Sequence, residues 1–135
     1  MLAVVRGAAE RMAELEGFSS EEAHGLIWAI DEALANVIKH GYNGQTDRPI
    51  TITLGPVRSG DGKSSLKVVI RDEGKQVDPA TIKGRNLDEI RPGGLGVHII
   101  QSVMDQYNWS CPNGGGMLLE MIKYISEKPA PAQGS

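Results

Sequence analysis

Apolar and polar residues alternate along this chain with two different periods. Apolar residues at helical spacing predict three helices, over residues 3–16, Ser20–Gly41 and Leu95–Asp105. Short alternating segments rich in β-branched and other apolar residues predict four strands, at Ile50–Leu54, Leu66–Arg71, Tyr107–Cys111 and Met117–Ile125. Turn residues separate the two strands of each pair, and residues 73–94 are predicted to be mostly loop.

The order of these elements predicts the fold class. Two consecutive strand pairs, each joined by a short turn, favour antiparallel pairing, and the helices then cover one face of the sheet. We therefore expect an α+β two-layer sandwich with a mixed, mainly antiparallel sheet. Residues 1–127 are predicted to form one domain, and residues 128–135 a disordered tail.

Composition narrows the classes of function. The 135 residues carry a net charge of −3, which disfavours direct nucleic-acid binding because phosphate neutralisation needs a basic surface. The single cysteine, Cys111, excludes an internal disulfide and is expected to be a buried thiol. No apolar stretch has the roughly 20 residues of a membrane helix, and no secretory signal is evident, so we expect a cytoplasmic protein without membrane contact. Trp28 and Trp109 are expected to be core or interface anchors.

The second predicted helix carries polar residues on one face. Glu32 and Asn36 are four residues apart, so both project from one side of the helix, and His40 follows four residues later. A carboxylate beside an amide oxygen can hold a hydrated Mg²⁺ or place a base near a hydroxyl group. The same spacing is also common on an ordinary solvated helix face.

Two further segments contain candidate binding residues. Asp72 ends an apolar strand and is followed by Glu73 and Gly74, so it can accept a hydrogen bond from an amino group on a flat ring, or simply begin a turn. Arg91–Gly96 brings glycines to the start of the third helix, where free amides and partial positive charge suit a phosphate. This segment lacks the Gly-Lys-Ser/Thr ending of a Walker loop, and a flexible linker is the alternative.

The three candidate segments occur along the chain in an order that resembles the order of motifs in a known family. The resemblance is to the histidine-kinase-like ATPase superfamily with its Bergerat fold, and within it to the bacterial anti-sigma factor serine kinases. It covers roughly residues 3–125 and is carried by the segments DEALANVIKHGY, RDEGKQVDP, RPGGLGVHIIQSVMD and GGGMLLEMIK.

The resemblance implies a role for each candidate residue. Glu32 would be the base that polarises the attacking hydroxyl group, and Asn36 would hold the Mg²⁺ that bridges the ATP phosphates. Asp72 would accept the adenine amino group, and Gly74 would leave room for the ring. The remaining nucleotide-binding residues would be Gly94 and Gly96 of the phosphate-covering lid, Arg6 and His40.

The function implied by the resemblance is ATP-dependent transfer of a phosphoryl group to a serine of a STAS-domain anti-anti-sigma protein, with or without sequestration of a sigma factor. A homodimer is implied in the same way. The alternatives are a nucleotide-dependent binding switch without catalysis and a regulatory ATPase module cut from a larger sensor protein. Glu32 favours the kinase, because a pure binder needs no base. The chain departs from many family members at Gln76, where they have glycine, and at Met117, where they often have threonine.

Overall fold

The computed structural model describes residues 2–45, 48–58, 60, 64–76, 78 and 94–125. Three α-helices are present: α1 (Leu2–Leu15), α2 (Ser20–Asn36) and α3 (Gly94–Val103). The four strands are β1 (Ile50–Arg58), β2 (Ser64–Asp72), β3 (Gln106–Ser110) and β4 (Leu118–Tyr124). Most of the predicted loop before Gly94 and the predicted tail at 128–135 lie outside the described residues.

The four strands form one sheet in the order β1-β2-β4-β3. Each neighbouring pair of these strands is antiparallel. The predicted α+β fold with a mainly antiparallel sheet is therefore confirmed, although no parallel pair occurs among the strands described here. The register pairs Ile50 with Asp72, which brings the beginning of β1 beside the end of β2.

The hydrophobic core lies between the helices and one face of the sheet. On β2, Leu66, Val68 and Ile70 are buried, while the residues between them are more exposed. Burying each such aliphatic side chain contributes about 1.5–3 kcal/mol. From the helices and the other strands, the largest fully buried side chains are Leu26, Ile30, Ile100 and Met121. The described part of the chain contains no helix of the length and apolarity that a membrane crossing requires.

Helix α2 has a well-defined beginning and an unusual end. Ser19 Oγ accepts a hydrogen bond from the Glu22 amide at 3.1 Å, and Glu22 Oε1 accepts one from the Ser19 amide at 2.9 Å, which is a capping box. The pattern predicts one helix as far as Gly41, but the chain changes to a π-helical turn over Val37–Gly41. The turn is closed by the Tyr42 amide, which donates to the Val37 carbonyl five residues back.

Two residue-level expectations have different outcomes. Cys111 is exposed, so the prediction of a buried thiol is wrong. The reason is that β3 ends at Ser110, so the alternation that buries Trp109 does not continue to the cysteine. The Cys111 Sγ lies 3.7 Å from Met117 Sδ. Of the two tryptophans, Trp109 is buried in the core and Trp28 is 56% exposed on α2.

Candidate functional site

The polar face of α2 is formed by Glu32 and Asn36. Both residues are partly buried, and Asn36 is the last residue of the α-helix. His40 is exposed and belongs to the π turn. Because a π turn is wider than an α turn, His40 does not continue the Glu32–Asn36 face as an uninterrupted α-helix would. π turns occur frequently at functional sites.

Arg6 of α1 is paired with Asp31, the residue before Glu32 on α2. Its Nη2 is 2.8 Å from Asp31 Oδ2, and its Nε donates to Asp31 Oδ1 and Oδ2 at 3.2 and 3.0 Å. The hydrogen bonds and the negative charge of Asp31 raise the pKa of Arg6 above its ordinary value. The ion pair holds the guanidinium against α2 at Asp31, and its contact with phosphates stays a prediction.

Asp72, at the end of β2, is held by backbone groups on two sides. Its side chain is 2% exposed. The Oδ1 atom accepts hydrogen bonds from the amides of Gly74 at 2.8 Å and Met117 at 3.2 Å. The Asp72 amide in turn donates to the Met117 carbonyl at 3.0 Å. Two backbone amides thus fix the orientation of this carboxylate.

The second carboxylate oxygen of Asp72 differs from the first. Among the described residues, no hydrogen-bond donor reaches Oδ2. A buried carboxylate oxygen without a donor is costly, and such groups usually have a partner. An amino group on a flat heterocycle supplies the missing donor, so the residues present fit the adenine ring that the resemblance implies.

Two glycines permit the close packing around Asp72. A Cβ on Gly116, whose φ is +75°, would lie 2.7 Å from the Asp72 carbonyl carbon. A Cβ on Gly74 would lie 2.9 Å from Tyr42 Cδ1 and would overlap the carbonyl oxygen of Gly41. That oxygen accepts a hydrogen bond from the Lys75 amide at 3.0 Å. Gly74 therefore has a packing reason of its own: the segment after β2 lies directly against the end of the π turn.

Tyr42, for which the sequence predicts no role, joins three parts of the site. The residue is 3% exposed. Its hydroxyl accepts a hydrogen bond from the Glu73 amide at 2.6 Å and donates one to the Pro49 carbonyl at 2.5 Å. Arg48 lies over the ring, 5.0 Å from its centroid. The end of the α2 segment, the residues before β1 and the segment after Asp72 are thereby connected through one phenol.

The two departures from the family pattern both lie near Asp72. Met117 contributes its backbone amide and carbonyl, as described, so these contacts do not depend on its side chain. Gln76 donates from Nε2 to the Pro112 carbonyl at 2.9 Å, which links the segment after β2 to the β3–β4 turn. A glycine at position 76 could not make this link.

Gly94 and Gly96 lie in the first turn of α3, so the helix begins one residue earlier than predicted. Helix N-termini favour anions through free amides and partial positive charge. Helix α3 packs against α2, and a Cβ on Gly25 would lie 3.2 Å from Val103 Cγ1. The residues of the glycine-rich segment before Gly94 lie outside the described part of the chain.

Asn36 is the residue of this site that the resemblance assigns to a metal ion. Within the described ranges, no three His, Cys, Asp or Glu side chains come together as a metal site. Mg²⁺ commonly keeps several waters and binds through one or two protein oxygens plus substrate phosphates. The amide oxygen of Asn36 is suited to that arrangement, in which the nucleotide supplies the remaining negative charge.

Comparison with known proteins agrees with these features. The family model of the histidine kinase-like ATPase domain matches residues 1–123. The serine-protein kinase RsbW of Oceanobacillus iheyensis is 30% identical over 130 residues, covering 90% of this chain and 75% of that protein. RsbW of Listeria innocua is 31% identical over 87% of this chain and 75% of its own length, and RsbW of Bacillus subtilis 27% over 89% and 73%.

A solved structure shows the same fold at lower sequence similarity. The histidine kinase domain of the blue-light activated histidine kinase EL346 of Erythrobacter litoralis superimposes with a TM-score of 0.52 at 17% identity. The match covers 92% of this chain and 61% of that chain. The chain therefore belongs to the histidine kinase-like ATPase family and, within it, groups with the RsbW serine-protein kinases, as its motifs predict.

Proposed function

We propose that this protein is an ATP-dependent protein serine kinase. Its substrate in this proposal is a serine of a STAS-domain anti-anti-sigma protein, with or without sequestration of a sigma factor. Family membership supports ATP binding, and the RsbW relatives support the reaction type. The observation that carries the proposal is the placement of Glu32 and Asn36 one turn apart on the helix whose end contacts the Asp72 segment.

The spacing along α2 suits a nucleoside triphosphate. From Gly41, which lies against the Asp72 carboxylate, to Glu32 the helical segment rises by about 13 Å. An extended ATP molecule spans a distance of that order between its adenine ring and its γ-phosphate. With adenine at Asp72, the phosphates would lie along the π turn toward Asn36, and the γ-phosphate would come near Glu32.

The chemical step then needs one base and charge neutralisation. The serine hydroxyl oxygen attacks the γ-phosphorus, Glu32 accepts the hydroxyl proton, and the bond to the bridging oxygen of ADP breaks. Mg²⁺, when bound, neutralises charge on the phosphates, and Asn36 would hold it. The amides at the start of α3, at Gly94 and Gly96, would contact the phosphates, with Arg6 and His40 nearby.

The partners and the location follow from the same proposal. A regulator of sigma factors acts in the cytoplasm on protein partners, and the net charge of −3 suits proteins better than nucleic acid. Activity as a homodimer is part of the proposal and is tested by sedimentation equilibrium, in which a monomer at all concentrations would contradict it.

The function is tested by phosphorylation of a purified STAS-domain anti-anti-sigma protein with labelled ATP and Mg²⁺. We expect Glu32→Gln to lower kcat by about 10²–10⁴-fold while calorimetry shows unchanged ATP affinity. Asp72→Asn should abolish ATP binding, because the amide cannot offer the same pair of acceptor oxygens. Glu21→Gln, an exposed change in the first turn of α2, is the matched control and should behave as wild type.

Two outcomes would change the conclusion. Full transfer activity in the Glu32→Gln variant would remove Glu32 as the base. ATP-dependent binding of the STAS-domain protein without any transfer by the wild-type chain would identify a nucleotide-dependent binding switch in place of a kinase.

A further inference from the structure

Helix α2 exposes a large aromatic side chain one turn before the candidate base. Trp28 is 56% exposed, although the neighbouring Ala29 and Ile30 are in the core. It lies four residues before Glu32 in an uninterrupted α-helix, so the two side chains are neighbours on the helix surface, about 6 Å apart along the axis. More than half of the Trp28 surface therefore lies in water, where a large apolar side chain is unfavourable.

With the nucleotide bound along α2 in the proposed direction, Trp28 lies on the side of Glu32 from which the acceptor serine approaches. The Asp72 carboxylate lies against Gly41, and Asn36 and Glu32 follow toward the beginning of α2. A nucleotide in this order occupies the C-terminal part of the helix. The acceptor hydroxyl must reach Glu32 from the remaining side, where Trp28 is the next residue on the same surface.

The charges around Trp28 restrict the chemistry of the segment that can lie there. Glu32 is partly exposed one turn after Trp28, and the neighbour one turn before it is His24, an exposed side chain that adds no negative charge. The Asp31 carboxylate is already paired with Arg6. A segment that covers this surface therefore presents an apolar side chain to the indole and carries neutral or basic rather than acidic neighbours.

We propose that Trp28 is a docking contact for the protein that carries the acceptor serine, and that it selects acceptor segments with an apolar side chain about one helical turn from the hydroxyl group. This inference rests on the proposed kinase function. Buried tryptophans are among the strongest contributors to protein interfaces, which fits a side chain that becomes buried only when the acceptor binds.

The inference is tested by steady-state kinetics with a purified STAS-domain anti-anti-sigma protein as the acceptor. Trp28→Ala should raise the KM for the acceptor by about tenfold or more, while kcat at saturating acceptor and the affinity for ATP stay unchanged. Trp28→Phe should recover most of the loss because it keeps an aromatic surface. Val57→Ala, which removes another exposed apolar side chain on β1, is the control and should match wild type.

Fluorescence gives a second readout that a purely structural role would not change. Since Trp109 is only 9% exposed, iodide should quench mainly Trp28. Saturation with the acceptor should protect Trp28 from iodide, whereas saturation with ATP alone should not. Thermal unfolding of Trp28→Ala verifies that the variant is folded.

The outcomes separate the docking inference from the kinase proposal. An unchanged acceptor KM in folded Trp28→Ala, with normal transfer by wild type, would overturn the docking role and leave the kinase intact. Loss of self-association in Trp28→Ala at an unchanged acceptor KM would assign the indole to an interface between copies of this chain, and would equally overturn the inference. Absence of transfer by the wild-type chain would overturn both.

Discussion

The two ends of the proposed site along α2 are built in different ways. At the C-terminal end, Asp72 is buried and oriented by the backbone amides of Gly74 and Met117. Toward the N-terminal end, the site consists of side chains on the surface of α2: Glu32 is partly buried, and Trp28 is exposed. One end is defined by close backbone packing, and the other by residue types at helical spacing.

This difference indicates where the site tolerates change. Substitutions at the Asp72 end alter backbone contacts and should therefore affect both folding and nucleotide binding. Substitutions on the exposed face of α2 should affect catalysis or partner choice while the fold persists, because surface changes rarely alter stability by more than about 0.5 kcal/mol. A small kinase can in this way keep one nucleotide site and vary its protein partner.

The largest effect on stability is expected for Gly116→Ala. The new Cβ would overlap the Asp72 backbone in a left-handed conformation, so strain and overpacking together should lower the free energy of unfolding by about 2–5 kcal/mol. Gly115→Ala is the matched control, because Gly115 has φ +98° and open space around its Cβ position; it should lose only about 1–2 kcal/mol. Urea unfolding measures both, and equal losses would contradict the packing argument.

A smaller effect is expected for Tyr42→Phe. The Glu73 amide and the Pro49 carbonyl lose their shared partner, which should cost about 1–3 kcal/mol of unfolding free energy. Calorimetry should also show weaker ATP binding, with kcat at saturating ATP unchanged, the opposite of the result expected for Glu32→Gln. Tyr107→Phe is the control, since no hydrogen bond of its hydroxyl is seen among the described residues. Unaltered ATP affinity in Tyr42→Phe would show that the phenol does not position the Asp72 segment.

The smallest effect is expected for Gln76→Ala. It removes one exposed hydrogen bond to the Pro112 carbonyl, so the stability loss should be about 0.5 kcal/mol. If the link restrains the β3–β4 turn beside Asp72, stopped-flow measurement should show faster ATP dissociation than in wild type. Gln45→Ala, another exposed glutamine, is the control. Identical dissociation rates in both variants would mean that the link has no part in nucleotide binding.

Much of the fold is predictable because hydrophobic alternation is a direct consequence of burial. The strand predicted at Leu66–Arg71 is observed as Ser64–Asp72. The alternating pattern predicts a first strand that ends at Leu54, but the strand continues to Arg58 through Gly55 and Pro56. Proline is tolerated there because β1 is an edge strand of the described sheet, and edge position is not visible in local sequence.

The candidate site also contains features that local sequence predicts and features that it does not. Glu32, Asn36 and Asp72 are candidates from residue type and spacing, and their roles, which the resemblance implies, stay predictions. The π turn was not predicted, because five residues are too few for periodicity to separate it from an α turn. The role of Tyr42 was missed because its hydroxyl meets the Glu73 amide, 31 positions away in sequence, and no local pattern reports such a contact.

The capping box at Ser19 limits how the length of α2 can vary. It fixes where α2 begins, and the helix then runs without interruption to Asn36. One residue inserted or deleted between Trp28 and Asn36 would rotate everything beyond it by about 100° and remove Glu32 or Asn36 from the common face. The π turn lies after Asn36, so its wider geometry does not change the angular positions of Trp28, Glu32 and Asn36 around the helix relative to one another. The number of residues in α2 is thus as much a part of the site as the side chains it carries.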